Sequence, residues 1–191
     1  ARFGAHRIGI VLGTSTTGIA ESEHFLAGGT QDERYPPHTH HHGNARYYYQ
    51  MQEQGSPAQF LAAWWQLTGP AWVVSTACSS SARAMMAAKR LLDQGLCDAV
   101  ISGGADTLCK LTLNGFTALE AVSKTLCDPF SARRNGINIG EGAGLFLLSK
   151  TPDLSRDVAG VFCGGGISMD AYHMSAPDPE GKGAIRAMNA A

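Results

Sequence analysis

Apolar runs alternating with amphipathic helical patterns predict a layered α/β fold for this chain. Three observations carry that expectation. Short apolar runs recur at residues 8–12, 71–74 and 99–101, each followed by glycine or small polar residues, as strand ends are. Residues 80–94 lie between the second and third runs and place their apolar side chains at helical spacing. Of the 23 glycines, eight cluster at 103–104, 140–144 and 164–166, where backbones would pack closely around a site.

The elements follow in order. Residues 7–14 alternate apolar and small side chains as a buried strand does, and 14–18, Thr-Ser-Thr-Thr-Gly, turn into a helix start. From 24 to 43 the pattern dissolves into glycine, two prolines and charge, which reads as a long surface loop. Helical spacing returns over 44–67, with Met51, Phe60, Leu61, Trp64 and Leu67 as core contacts; Ser56 before Pro57 marks a helix start within it. The helix after Cys78 runs to about Gln94, with Gly95 closing it. Ala84, Met85, Ala88, Leu91 and Leu92 share its buried face, and Arg83, Lys89, Arg90 and Asp93 its polar one. Residues 97–104 read as a strand and 117–124 as a helix. Residues 143–149 and 158–163 read as two paired strands joined by a short turn, and 185–191 as a closing helix.

Composition excludes several classes. Fifteen basic against sixteen acidic residues show no basic stripe, which argues against a nucleic-acid partner. No apolar run approaches a membrane span, and a cytoplasmic location is expected. Five cysteines, at 78, 97, 109, 127 and 163, form no Cys-x-x-Cys pair, so neither a disulfide framework nor a zinc knuckle is indicated. His38, His40, His41 and His42 are the one metal-like cluster, and they read as a solvated loop because they do not come from separated elements.

Chemistry is concentrated at residues 75–81, Ser-Thr-Ala-Cys-Ser-Ser-Ser. There Cys78 stands where an apolar strand stops and a helix begins. A strand that delivers a cysteine to the first turn of a helix aims backbone N–H groups and the positive end of the helix dipole at the sulfur, an arrangement that makes a nucleophile. The competing reading, a small buried thiol, fits most free cysteines.

This segment resembles the nucleophile region of the β-ketoacyl-acyl-carrier-protein synthases, condensing enzymes of the thiolase superfamily. Two further motifs agree with it in order. Asp128-Pro129-Phe130 followed by residues 134–144, Arg-Asn-Gly-Ile-Asn-Ile-Gly-Glu-Gly-Ala-Gly, is similar to one family segment. Residues 170–177, Asp-Ala-Tyr-His-Met-Ser-Ala-Pro, are similar to another. The resemblance implies a thiolase-like fold, two similar halves stacked with buried helices between them. On that basis residues 1–150 belong to the later part of the first half, and 151–191 open the second. The family's two catalytic histidines and its lysine belong to motifs that do not occur in these 191 residues, and the chain reads as an internal fragment.

The resemblance also assigns residues. Cys78 is the nucleophile that accepts an acyl group. Thr16 falls at the bottom of the acyl pocket, where the family commonly has glycine or isoleucine, and Phe116 on a pocket-lining aromatic. Asp170, His173 and Ser175 border the acyl and pantetheine entrance; Asp170 is placed to orient the His173 ring, and a structural loop role is the competing reading for His173. Glu141 is expected to be a buried carboxylate accepting backbone hydrogen bonds, with Arg134 as counter-charge. Residues 140–144 lack the Lys-Ser/Thr of a phosphate loop. The implied activity is decarboxylative condensation of a cysteine-bound acyl group with malonyl-acyl-carrier protein, without cofactor or metal. The implied partners are acyl-carrier protein with its phosphopantetheine arm and a second subunit, identical or related. Trp72 and Val74 are expected near the two-fold axis of that dimer. A thiolase or initiating synthase, a modular polyketide ketosynthase, and a non-catalytic partner subunit are the alternatives; the last typically loses the cysteine this chain keeps.

Overall fold

The computed structural model describes residues 3–27, 49–151, 158–174 and 176–191. Within them β1 (Ile8–Gly13), α1 (Ile19–Leu26), α2 (Ser56–Trp64), β2 (Ala71–Val74), α3 (Ser80–Asp93), β3 (Ala99–Asp106), α4 (Lys110–Ala118), β4 (Gly142–Ser149) and α5 (Lys182–Asn189) follow one another. The four strands form one sheet in the order β2-β1-β3-β4. β1 runs parallel to both β2 and β3, with Ile10 opposite Ala71 and Ile101, while β4 is antiparallel to β3. The α/β expectation therefore holds.

Two apolar clusters sandwich the sheet. On one face Val11 and Val100 meet Ala84, Ala88, Leu91 and Leu92 of α3, with Trp72, Val74 and Leu148 at the margin. On the other, Ile10 and Leu12 meet Ala58 of α2, with Leu61, Leu67, Val73 and Ile101 around them. Period-two alternation in β1 thus sends successive side chains into different cores, which is why this strand is apolar along its length. α3 ends as expected: Gln94 caps it, Gly95 takes a left-handed φ of 70°, and Leu96 N–H returns to Leu91 C=O at 3.0 Å. Arg7 fastens this end to the start of β1 by donating to the carbonyls of Gly95 and Leu96 and to both carboxylate oxygens of Asp98.

Four details differ from the sequence reading. Phe60 and Trp64 are exposed and stack on each other at 6.0 Å on the outer side of α2, because Ala58 and Leu61 occupy its sheet-facing side. The helix expected over 117–124 lies earlier, at Lys110–Ala118. It stops because Glu120 turns left-handed and the backbone of residues 121–123 bonds to Ile137 instead. Residues 158–163 form no strand beside β4; just beyond them the chain passes α3 and α5, with Gly165 against Met86 and Gly166 against the Ala187 backbone. Finally, Gly140, Gly142 and Gly144 have open space where a side chain would go, unlike Gly103, Gly104 and the 164–166 run.

Candidate active site

The three parallel strands all point their C-terminal ends to one rim of the sheet, where an α/β fold presents its loops for chemistry. β2 delivers residues 75–79 to that rim. The backbone there is tightly wound: Ala77 adopts a φ of +51°, a conformation costly for a residue with a Cβ. The serines that follow satisfy the turn. Ser80 Oγ accepts Thr76 N–H at 2.9 Å and donates to Ala77 C=O at 2.6 Å, while Ser79 Oγ donates to Thr76 C=O at 2.8 Å. Cys78 sits on the outside of this turn and is exposed. It precedes the N-cap, Ser79, and so lies just before the first turn of α3 rather than within it.

The floor under the turn is glycine. A Cβ on Gly13 of β1 would collide with the backbone of Ser80 and Ser81, and one on Gly104 of β3 with the Ser81 hydroxyl. Only bare backbone at both positions lets the N-terminus of α3 rest on the sheet, and that contact sets the height of Cys78 above the strand ends.

The neighbouring rim loops carry two of the other candidates. Thr16, between β1 and α1, is buried, and its hydroxyl donates to Asp106 Oδ1 and accepts Thr107 N–H, both at 2.9 Å. Asp106, the last residue of β3, also receives the N–H groups of Ser15 and Thr16 and the Thr14 hydroxyl on the same oxygen. Burial works to raise the Asp106 carboxyl, but these donors outweigh it and hold it below the usual carboxylate range. Phe116 is half-buried on α4. That helix is held by Glu23 of α1, whose carboxylate receives the N–H groups of Lys110 and Leu111 at 2.8 and 2.6 Å. Thr16 and the Phe116 helix are thus tied together through adjoining loops.

Asp170 and His173 belong to a different part of the chain. Asp170 Oδ2 accepts Asp178 N–H at 3.0 Å and packs against Gly183 of α5, and His173 Nδ1 accepts Ala176 N–H at 3.2 Å. They are exposed and positioned by α5 and its loop, not by the strand ends that carry Cys78 and Thr16. Ser175 and the cluster of His38, His40, His41 and His42 lie outside the described residues. Glu141 differs from expectation. It is exposed, though it does accept the Leu108 N–H at 3.1 Å, and Arg134 donates to Ser131 C=O. Pro129, Phe130, Arg134 and Ile137, from the second motif, line one open depression together with Cys127.

Cys78 and Cys163 are exposed, whereas Cys97 and Cys109 are buried, and burial pushes the Cys97 thiol up. Sequence reasoning passed over Asp106, Glu23 and the role of Gly13. A polar triplet at the end of one strand, opposite an aspartate at the end of the next, is the signal that marks the first of these.

A family profile described as "Beta-ketoacyl synthase, N-terminal domain" matches residues 2–154. The chain belongs to the β-ketoacyl synthase family. It is 36% identical over 137 residues to 3-oxoacyl-[acyl-carrier-protein] synthase 2 of Rhizobium meliloti, covering 66% of this chain and 32% of that protein. The same-named protein of Staphylococcus aureus is 35% identical over 132 residues, covering 64% and 33%. Among solved structures, a ketosynthase in complex with its chain length factor from Xenorhabdus doucetiae matches all of this chain and 45% of its own, with TM-score 0.82 and 44% identity. The ishigamide ketosynthase/chain length factor matches 98% of this chain and 45% of its own, with TM-score 0.74 and 26% identity. The chain spans about a third of the length of the curated relatives it matches. These neighbours carry the thiolase-like fold, and no helix among the described residues is long and apolar enough to cross a membrane.

Proposed function

We propose that the intact protein is a cytoplasmic β-ketoacyl-acyl-carrier-protein synthase in which Cys78 is the acyl-accepting nucleophile. The observation that carries this reading is the exposed cysteine on a strained strand-to-helix turn, at the C-terminal rim of a sheet built by a member of this family. In the reaction the Cys78 sulfur attacks the carbonyl of an acyl thioester and expels the phosphopantetheine thiol of acyl-carrier protein. A malonyl-type thioester then loses carbon dioxide, and its carbanion attacks the acyl-cysteine carbonyl, forming the new carbon–carbon bond and releasing the Cys78 sulfur. Each attack builds negative charge on a thioester oxygen, for which the Cys78 N–H is one donor. The histidines that serve the second step in the family are in motifs absent from these 191 residues.

Thr16 and Phe116 line the acyl pocket in this reading, and Asp170, His173 and Ser175 its entrance. Residues 1–150 are assigned to the first ketosynthase half and 151–191 to the second. Among the described residues β2 is an edge strand of the sheet, and an uncovered apolar edge invites pairing. We assign it to the dimer interface, with an identical or related subunit as partner. Trp72 and Val74 are part-buried against α3 of their own subunit, so the pairing would run through the β2 backbone.

The test is mass spectrometry of the full-length protein mixed with acyl-carrier protein bearing a panel of acyl chains. An acyl adduct is expected on Cys78, absent from Cys163 and lost in Cys78→Ala. No adduct with any chain would favour a non-catalytic partner subunit.

A further inference from the structure

Two βα units of this fold are fastened to each other by reciprocal carboxylates. Asp106, ending β3, gathers the turn after β1: Ser15 N–H at 2.7 Å, Thr16 N–H at 3.0 Å, and the Thr14 and Thr16 hydroxyls at 2.9 Å, all on Oδ1. Glu23, in the helix that follows that turn, holds the start of α4, the helix that follows β3. Between them the Thr16 hydroxyl accepts Thr107 N–H at 2.9 Å. The result is a latch joining residues 14–16 to residues 107–111.

The latch explains why a polar residue is tolerated at position 16. The Thr16 hydroxyl spends its proton on Asp106 and receives Thr107, so only its methyl group is left uncommitted. In a loop of this kind, four donors on one charged oxygen fix both the backbone and the rotamer, because charge-assisted hydrogen bonds in a part-buried site are stronger than neutral ones. A wall held this way cannot retreat before a longer chain without breaking several of these bonds together.

We propose that Asp106 is a positioning residue that sets which acyl chains load onto Cys78, by latching the Thr16 turn to the turn that leads into the Phe116 helix. This rests on the reading of Thr16 and Phe116 as pocket residues. Asp106 touches no substrate. Its removal frees the Thr16 turn, and the pocket then admits longer chains.

The experiment measures initial rates of Cys78 acylation in the full-length protein, using acyl-carrier protein loaded with chains of graded length. In Asp106→Ala the ratio of long-chain to short-chain loading is expected to rise about tenfold, the effect of losing one net charged hydrogen bond. Loading of the shortest chain stays within about twofold of wild type, because the Cys78 turn rests on Gly13 and Gly104 rather than on Asp106. Asp106→Asn, which keeps an acceptor oxygen without the charge, restores part of the wild-type ratio. Thr16→Val, which keeps the shape and removes the hydroxyl, shifts the ratio in the same direction by less. An unchanged ratio in folded Asp106→Ala, or a fall by the same factor at all lengths in that folded variant, overturns the proposal. If Asp106→Ala does not fold, Thr16→Val decides, and an unchanged ratio there is equally fatal. Wild-type protein that forms no adduct with any chain defeats the underlying ketosynthase reading, and the latch's role with it.

Discussion

β1 and β4 both pair with β3 in one sheet, and both are mostly apolar, yet their surroundings are opposite. Ile10 and Val11 of β1 have no exposed surface, whereas Leu145, Phe146 and Leu147 of β4 are 44%, 50% and 63% exposed. Composition does not separate them. Among the described residues, β1 has a strand on each side, α3 over one face and α2 over the other; β4 has a neighbour on one side only, and its Leu145 and Leu147 lie on the α2 side of the sheet but beyond the end of α2's cover. Burial is a property of the layers that meet a strand, and the site-bearing rim belongs to the parallel strands that pack on α3. Among the described residues, β4 leaves an apolar face of this sheet open, where β2 leaves only its edge.

The sharpest way to test this contrast is to make the same cut in both strands. Ile10→Ala should destabilise the full-length protein by about 4 kcal/mol, since it opens a cavity where nothing can relax inward from solvent. Leu147→Ala should cost about 1 kcal/mol or less if its face stays open. Urea unfolding measures both. Equal losses would mean that the β4 face is filled in the intact protein, which would break the contrast there while leaving it true of this chain.

The next pair adds an atom instead of removing several. Gly13→Ala forces a Cβ into the backbone of Ser80 and Ser81, and should cost about 3 kcal/mol because backbone cannot swing aside. It should also depress Cys78 acylation more than its stability loss explains. Gly144→Ala meets nothing within 4 Å and should be close to neutral on both readouts.

The smallest effect concerns the carboxylate that joins the β1 turn to β3. The Asp106 carboxyl is held below its ordinary range in the folded protein, so its contribution is present above the unfolded carboxylate pKa and is lost as pH falls through the folded one. Acid unfolding followed by circular dichroism should show a shallower acid limb in Asp106→Asn than in wild type. An identical limb would show that the donors around Asp106 do not depend on its charge.

The parallel core was legible in the sequence because its signals are local. Helical spacing over 80–94, glycine at 95 and three apolar runs each report on a single element, and Cys78 was found from its place at a strand-to-helix junction. The latch and the glycine floor were not legible in the same way. Asp106 is an ordinary strand-end aspartate until Thr14, Ser15 and Thr16 are brought beside it by a register 90 or so residues apart in sequence. The misplaced helix at 117–124 has a similar cause: residues 119–124 have fair helical propensity, but Ile137 claims their backbone groups. The expected strand at 158–163 failed because an apolar run says that a segment could pair without supplying the partner, and here Val158 and Val161 are left exposed.

The strand order has a consequence for how this sheet comes into being. β1 is made first, but its two partners begin at Ala71 and Ala99, so the central strand must wait for most of the chain that completes it. At about 5–20 residues per second on the ribosome, that wait lasts several seconds, far longer than the time in which a hairpin would have paired. Parallel pairing over such separations also raises the contact order and slows the search. Throughout that interval Ile8, Ile10, Val11 and Leu12 are an unpaired apolar segment in a nascent chain, the kind of segment that chaperones hold. The turn bearing Cys78 rests on Gly13 and Gly104, and so acquires its shape only when β3 docks.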